Sequence, residues 1–230
     1  VLDMGSGTGL FSMEMARYLG PNARVIGIEH DPEQLRSARK LISEAVTLEF
    51  RQGDAAFPPL AEEEWGQFDL AHTRFLLEHV PKPELVVQAM VRAVRPGGRV
   101  VLLDDDHDLM RLWPEPEGFS RLWQAYYRTY RPLGNDPLIG RTLPEFLSLA
   151  GARPSRITQV FSGACAGSSN FEGIVGNLVG VLEGARKQIF ASGEMAASEF
   201  DSALQRFREF GQEPGSALWY VINYAEGLVE

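Results

Sequence analysis

The chain has a single cysteine, Cys165, among 230 residues. This excludes an intrachain disulfide and any zinc site built from several thiolates, and it makes the cytoplasm the expected compartment. Gly163, Ala164, Ala166 and Gly167 give the thiol no neighbouring base, so no reactive role is expected for it. Basic residues are also in short supply. The 22 Lys and Arg against 31 Asp and Glu leave a formal charge of -9, which disfavours a broad phosphate-binding face and nucleic-acid partners. No apolar run is long enough to span a bilayer and no secretory leader precedes the first strand, so no membrane partner is expected. Internal repeats, low-complexity tracts and linkers are lacking as well, and the expectation is one domain over residues 1–230.

Against these absences stands the opening stretch. Val1, Leu2 and Met4 fit the end of a parallel strand buried on both faces. Gly5, Gly7 and Gly9 then permit a tight turn, positive φ and close approach of a ligand to the backbone. Residues 10–19 continue as a helix whose free N–H groups point at that turn. The spacing is D-x-G-x-G-x-G, whereas a dinucleotide fingerprint reads G-x-G-x-x-G, and Asp3 sits where a phosphate would be repelled.

The stretch Asp3-Met4-Gly5-Ser6-Gly7-Thr8-Gly9 resembles motif I of the class I S-adenosylmethionine-dependent methyltransferases. The resemblance implies that the loop of Gly5, Ser6, Gly7 and Gly9 wraps the methionine part of the cofactor and that Asp3 interacts with its amino end. Members of that family usually carry further residues ahead of this strand, so a longer native protein is expected.

Residues 24–29 form a second strand that ends in Glu29, twenty residues after Gly9, where a carboxylate accepts both hydroxyls of an adenosine ribose. His30 follows at the adenine edge, and Asp31-Pro32 starts a helix expected to reach about Ala45. A third strand, residues 46–52, runs into Gly53-Asp54-Ala55. In the resembled family this segment lies beside adenine, with the acid accepting from its exocyclic amine. A fourth strand, 68–72, leads into Thr73-Arg74-Phe75-Leu76-Leu77-Glu78-His79, which resembles the ubiquinone/menaquinone-biosynthesis-like subgroup that acts mostly on small molecules. Thr73, Arg74 and Phe75 are expected at the sulfonium end. His79 is either a general base or a tie between this loop and the next helix, and His72 is a weaker candidate. The Asn/Asp-Pro-Pro-aromatic motif of amino-methylating nucleic-acid enzymes is absent. An apolar helical stripe over 85–94, an Arg95-Pro96-Gly97-Gly98 stop and a fifth strand over 99–103 complete the core.

The run Asp104-Asp105-Asp106-His107-Asp108 invites a metal reading, but side chains on an extended segment alternate and only a subset converges. A solvated acidic loop is expected, with His107 as a second candidate base and no metal. Phe119, Leu122, Trp123, Tyr126, Tyr127 and Tyr130 give a helix one aromatic face. Trp123, Tyr126, Tyr127 and Tyr130 are candidates to line an acceptor pocket, and Arg141 is a candidate partner for an acceptor carboxylate. A helix is expected around 143–150, strand six at 156–161, helical patterns over 171–189 and 200–210, and a last strand at 216–225.

The expected fold is therefore α/β: a doubly wound, Rossmann-like, mainly parallel seven-stranded sheet with an antiparallel last strand. Residues 1–104 form its cofactor-binding core, and insertions at 105–140 and 164–214 form a helical cap that serves as a lid or as a homodimer interface. The resemblance implies methyl transfer from S-adenosylmethionine, leaving S-adenosylhomocysteine, to a small-molecule acceptor at oxygen or carbon by in-line displacement at the sulfonium methyl. The competing expectations are an S-adenosylmethionine-binding regulatory protein without catalysis and a nicotinamide-dependent oxidoreductase.

Overall fold

The computed structural model describes residues 1–42 and 47–230. It divides into two compact units where one domain is expected: residues 1–105, 139–159 and 223–230, and residues 106–138 with 160–222. The second unit takes in most of both expected insertions.

The first unit is built on strands β1 (Leu2–Met4), β2 (Arg24–Glu29), β3 (Thr47–Gln52), β4 (Phe68–Arg74) and β5 (Val94–Asp105), with the C-terminal part of β8 (Ala217–Val229) beyond β5. Their order is β3-β2-β1-β4-β5-β8, and β7 (Ala152–Cys165) pairs with β8. The pairs β1–β2, β1–β4, β2–β3 and β4–β5 are all parallel. Leu2, Met4, Val25, Ile26 and Ile28 are fully or almost fully buried, as strands covered on both faces require. The covering helices are α1 (Leu10–Leu19), α2 (Pro32–Arg39), α3 (Pro83–Ala93) and α5 (Leu143–Leu149). Helix α2 starts where Asp31 Oδ1 accepts the N–H groups of Glu33 and Gln34 at 2.8 and 2.9 Å, with Pro32 in the first position. The expected end of this helix near Ala45 and the first expected residue of β3, Val46, lie outside the described residues. Arg95–Gly98 loops out within β5: Phe68 pairs with Val94 and Leu70 with Arg99, so these four residues have no partners opposite.

The second unit contains β6 (Arg111–Trp113), which pairs antiparallel with the start of β8, and helices α4 (Phe119–Arg128), α6 (Phe171–Gly184), α7 (Arg186–Ser192) and α8 (Ala197–Phe210). It buries a core of its own around Leu122, Phe171, Phe200, Phe207 and Phe210. The single helical pattern expected over 171–189 is two helices, since Ala185 caps the end of α6 and the start of α7. With β6 the strands number eight among the described residues, one more than expected. A three-residue strand offers too little alternation to be read from sequence. No helix among the described residues is long and apolar enough to cross a membrane.

Candidate active site

Two cavities of the first unit lie at the carboxyl ends of β1, β2 and β4. One, of about 370 Å³, has His30, Gly53, Asp54 and Ala55 in its wall together with apolar Ile28, Phe57 and Leu85. The other, of about 400 Å³, is bounded by the loop from Gly5 through Ser6 and Gly7 to Thr8, and by Asp3, Phe11, His72, Arg74 and Phe75. Gly5, Glu29, Leu76 and His79 line both, so the two cavities adjoin.

The glycines divide their work. Gly5 and Gly7 have φ of 74° and 57°, and a Cβ on Gly5 would come within 3.0 Å of Leu76. Gly9 lines neither cavity. It faces the opposite way, where a Cβ would meet the Phe50 ring at 2.5 Å, so it serves close packing of α1 and not the cofactor contact expected for it. The Ser6 hydroxyl is buried without a hydrogen-bond partner among the described residues.

Glu29 closes β2 and lines both cavities. Its Oε2 accepts the Gly7 N–H at 2.7 Å and its Oε1 the Asp31 N–H at 2.8 Å, which ties the glycine loop to the strand end. Asp3 has protein partners on both oxygens. Ser12 Oγ donates to Oδ2 at 2.5 Å and His72 Nδ1 lies 3.1 Å from Oδ1, with all three residues buried. Asp54 sits in the cleft wall and also closes a turn, accepting the Ala56 N–H at 2.8 Å.

Thr73 does not reach the cleft. Its hydroxyl donates to the Met4 carbonyl at 3.0 Å, because side chains on β4 alternate and His72 and Arg74 take the cleft side. The Arg74 guanidinium lies over the Phe11 ring at 4.5 Å and near Phe75 at 5.5 Å. Phe75 holds a left-handed φ of 54°, unusual for a bulky residue. His79, half exposed, lies on the wall shared by the two cavities with Nε2 3.4 Å from Glu78 Oε1.

The acidic run is not a solvated loop. Asp104, Asp105 and Asp106 are buried. Asp104 Oδ2 accepts the N–H groups of Leu76 and Leu77 at 3.2 and 2.8 Å, and Asp106 Oδ1 accepts the Asp108 N–H.

The loop beyond Asp54 is fastened by Arg51, which donates to both oxygens of Glu64 at 2.6 and 2.8 Å, to Glu49, and to the Pro59 carbonyl. Hydrogen bonding from Arg51 pulls Glu64 down to about 2 and the same contacts raise Arg51. A carboxylate held below its usual value stabilises the fold above about pH 4.5 and loses that contribution as pH falls towards 2. Arg51→Met is therefore expected to cost about 2 kcal/mol at pH 7 and to flatten the acid limb of a urea-unfolding series between pH 5 and 3. An unchanged acid limb would mean that the pair contributes nothing.

In the second unit His107 is buried among Trp123, Tyr126, Tyr127 and Tyr130, with ring centroids 5.2 to 6.3 Å away. Its carbonyl accepts Trp123 Nε1–H at 2.8 Å. His107, Trp123 and Tyr127 line a cavity of about 240 Å³ within that unit. Tyr126 and Tyr130 do not line it, and their hydroxyls bond each other at 2.9 Å. Arg141 is exposed at the end of a short turn, Ile139–Arg141, in the first unit, away from its two cavities. Sequence reasoning missed Phe11, Leu10 and Gln34 in the cleft wall. The two apolar residues open an amphipathic helix and read as core.

A doubly wound parallel sheet with a glycine loop after β1 and an acid at the end of β2 defines the Rossmann-like class of nucleotide-cofactor folds. Residues 1–98 match the family described as a methyltransferase domain. It is 27% identical to a demethylmenaquinone methyltransferase of Lactococcus lactis over 149 residues, 64% of this chain and 55% of that protein. It is 41% identical to a ubiquinone biosynthesis O-methyltransferase of Pseudomonas aeruginosa over 103 residues, 44% of this chain and 42% of that protein. The chain thus spans about half the length of these relatives. Among solved structures, phosphoethanolamine N-methyltransferase 2 of Haemonchus contortus, in complex with phosphomonomethylethanolamine and S-adenosylhomocysteine, shares the fold. Its TM-score is 0.56 at 18% identity, over 99% of this chain and 48% of that one.

Proposed function

We propose that this chain transfers a methyl group from S-adenosylmethionine to oxygen or an activated carbon of a small-molecule acceptor. The observation that carries the reading is the pair of adjoining cavities, the one at Gly53–Ala55 mainly apolar and the one at the glycine loop mainly polar, with Glu29 in the wall of both. A nucleoside joined to an amino acid has that polarity. The residues present fit it: Gly5 and Gly7 leave backbone without side chains along one wall, and each Glu29 oxygen accepts one N–H and keeps capacity for a ribose hydroxyl. Asp54 and the Ala55 backbone stand where an adenine edge would be read.

When bound, S-adenosylmethionine supplies a methyl group already made electrophilic by the sulfonium. The protein then has to align the acceptor and keep water away. His79, on the wall shared by both cavities and with Nε2 3.4 Å from Glu78 Oε1, takes the acceptor proton. We assign this role to His79 and not to His107, which is enclosed by four rings. The names of the two relatives favour a quinone-type ring as acceptor, and the charge of -9 disfavours a nucleic acid.

Calorimetric titration with S-adenosylmethionine, S-adenosylhomocysteine and NAD tests the cofactor. Binding of the two sulfur compounds and not NAD is expected, and the reverse would overturn the reading. In an acceptor screen with phenols and quinols, His79→Gln is expected to lower kcat about 100-fold while S-adenosylhomocysteine affinity stays within about threefold. Cofactor binding with no turnover on any acceptor would favour a regulatory protein instead.

A further inference from the structure

We infer that the Arg74 guanidinium is the receptor for the carboxylate of the cofactor's amino-acid end, and that Asp3 acts on that end through His72 and not by direct contact. The inference rests on the cofactor proposed above.

Four observations meet in the glycine-loop cavity. Arg74 has no ion pair and no hydrogen bond to an acceptor among the described residues, although its five N–H groups make it the strongest carboxylate-binding side chain available. Its position is nonetheless fixed: the Phe11 and Phe75 rings lie 4.5 and 5.5 Å from the guanidinium carbon. Stacking uses the faces of the guanidinium and leaves its N–H edges for a planar, two-oxygen partner. Asp3, an acid of the same cavity, is already engaged on one oxygen by Ser12 and on the other by His72. Finally, α1 begins at Gly9 without a side-chain cap, and Leu10 and Phe11 of its first turn line the cavity, so its positive end adds to the field felt by an anion there.

His72 links Asp3 to the Phe11 ring. Its Nδ1 faces Asp3 Oδ1 at 3.1 Å and its ring packs against Phe11 at 4.9 Å, so Asp3 fixes the imidazole and the Phe11 ring is held between His72 and Arg74. Arg74, Phe11, His72, Asp3 and Ser12 thereby form one braced row along the cavity wall. Asp3 is a positioning residue in this arrangement and Arg74 the contact residue.

The test compares two ligands that differ only in the carboxylate: S-adenosylhomocysteine and its decarboxylated analogue, titrated calorimetrically against the whole chain and against Arg74→Met. The unmodified protein is expected to bind the decarboxylated analogue at least about tenfold more weakly. In Arg74→Met the two affinities are expected to converge to within about twofold, because the variant loses affinity for the carboxylated ligand alone. Phe11→Leu, which removes a ring from beneath the guanidinium and leaves its charge, is expected to give an intermediate ratio. It keeps the test open if Arg74→Met does not fold. An unchanged ratio in both variants overturns the inference while leaving the proposed cofactor standing. If the unmodified protein binds neither ligand, the cofactor reading fails and this inference fails with it.

Discussion

Glu29→Ala is expected to weaken S-adenosylhomocysteine binding by at least about 100-fold, the largest effect of any single side chain in the cleft. The carboxylate has two jobs there. Its oxygens accept from Gly7 and Asp31, bracing the glycine loop against the end of β2, and with the proposed cofactor the same oxygens take the ribose hydroxyls where the two cavities adjoin. Removing the side chain deletes two charge-assisted contacts to ligand and lets the loop relax, so part of the loss is preorganisation. Glu29→Gln separates the two. Its amide keeps one acceptor and turns a donor towards either the Gly7 or the Asp31 N–H, and an intermediate affinity is expected. Titration calorimetry gives the affinities and thermal unfolding gives the cost to the fold. A loss below about threefold in Glu29→Ala would remove this residue from the site.

The residues that sequence placed well are those where one physical requirement leaves few options. Positive φ at Gly5 and Gly7 and an acid closing β2 are each demanded locally, and local demands are visible in local spacing. Thr73 shows the limit. It stands between two cleft residues in sequence, yet strand alternation sends it to the Met4 carbonyl, and counting the alternation from Arg74 would have separated them. Asp3 shows a different limit. Its partners Ser12 and His72 are nine and 69 residues away, and pairing over that distance is set by how β1, β4 and α1 pack, which leaves no local trace. The acidic run misled for a related reason. Consecutive carboxylates usually mean solvent, but here Asp104 and Asp106 are buried where the backbone N–H groups of Leu76, Leu77 and Asp108 donate to them. The aromatic face of α4 was legible as a face, and Phe119, Leu122 and Trp123 do pack into the core of the second unit.

Asp104 carries the largest expected effect on stability. Its Oδ2 holds the Leu76 and Leu77 N–H groups, and its Oδ1 the Asp105 N–H, so one buried side chain fixes the loop that walls both cavities. Asp104→Ala strands these donors in the interior and is expected to cost about 3 kcal/mol in urea unfolding. The charge on this group runs the other way. Burial, aided by the neighbouring Glu78 carboxylate, pushes Asp104 up to about 8, and the N–H groups of Asp105 and Leu77 only partly offset it. A carboxyl raised in the folded state contributes most when the unfolded chain is also protonated, below about pH 4, and loses that contribution as pH climbs towards 8. Stability from this group therefore falls across the neutral range, with a slope of at most about 1.4 kcal/mol per pH unit. Asp104→Asn cannot ionise. Its carbonyl retains the Leu76 and Leu77 contacts, its amide faces the Asp105 donor, and its unfolding free energy is expected to be flatter between pH 5.5 and 7.5 than that of the unmodified chain. Equal slopes in the two proteins would mean that Asp104 is ionised throughout that range, and that the three N–H groups outweigh burial. In that case the same carboxylate would hold the loop from Phe75 to His79 with a full charge at neutral pH, and Asp104→Ala would be costlier than 3 kcal/mol by the charged hydrogen bonds it removes, about 1.5–3 kcal/mol each.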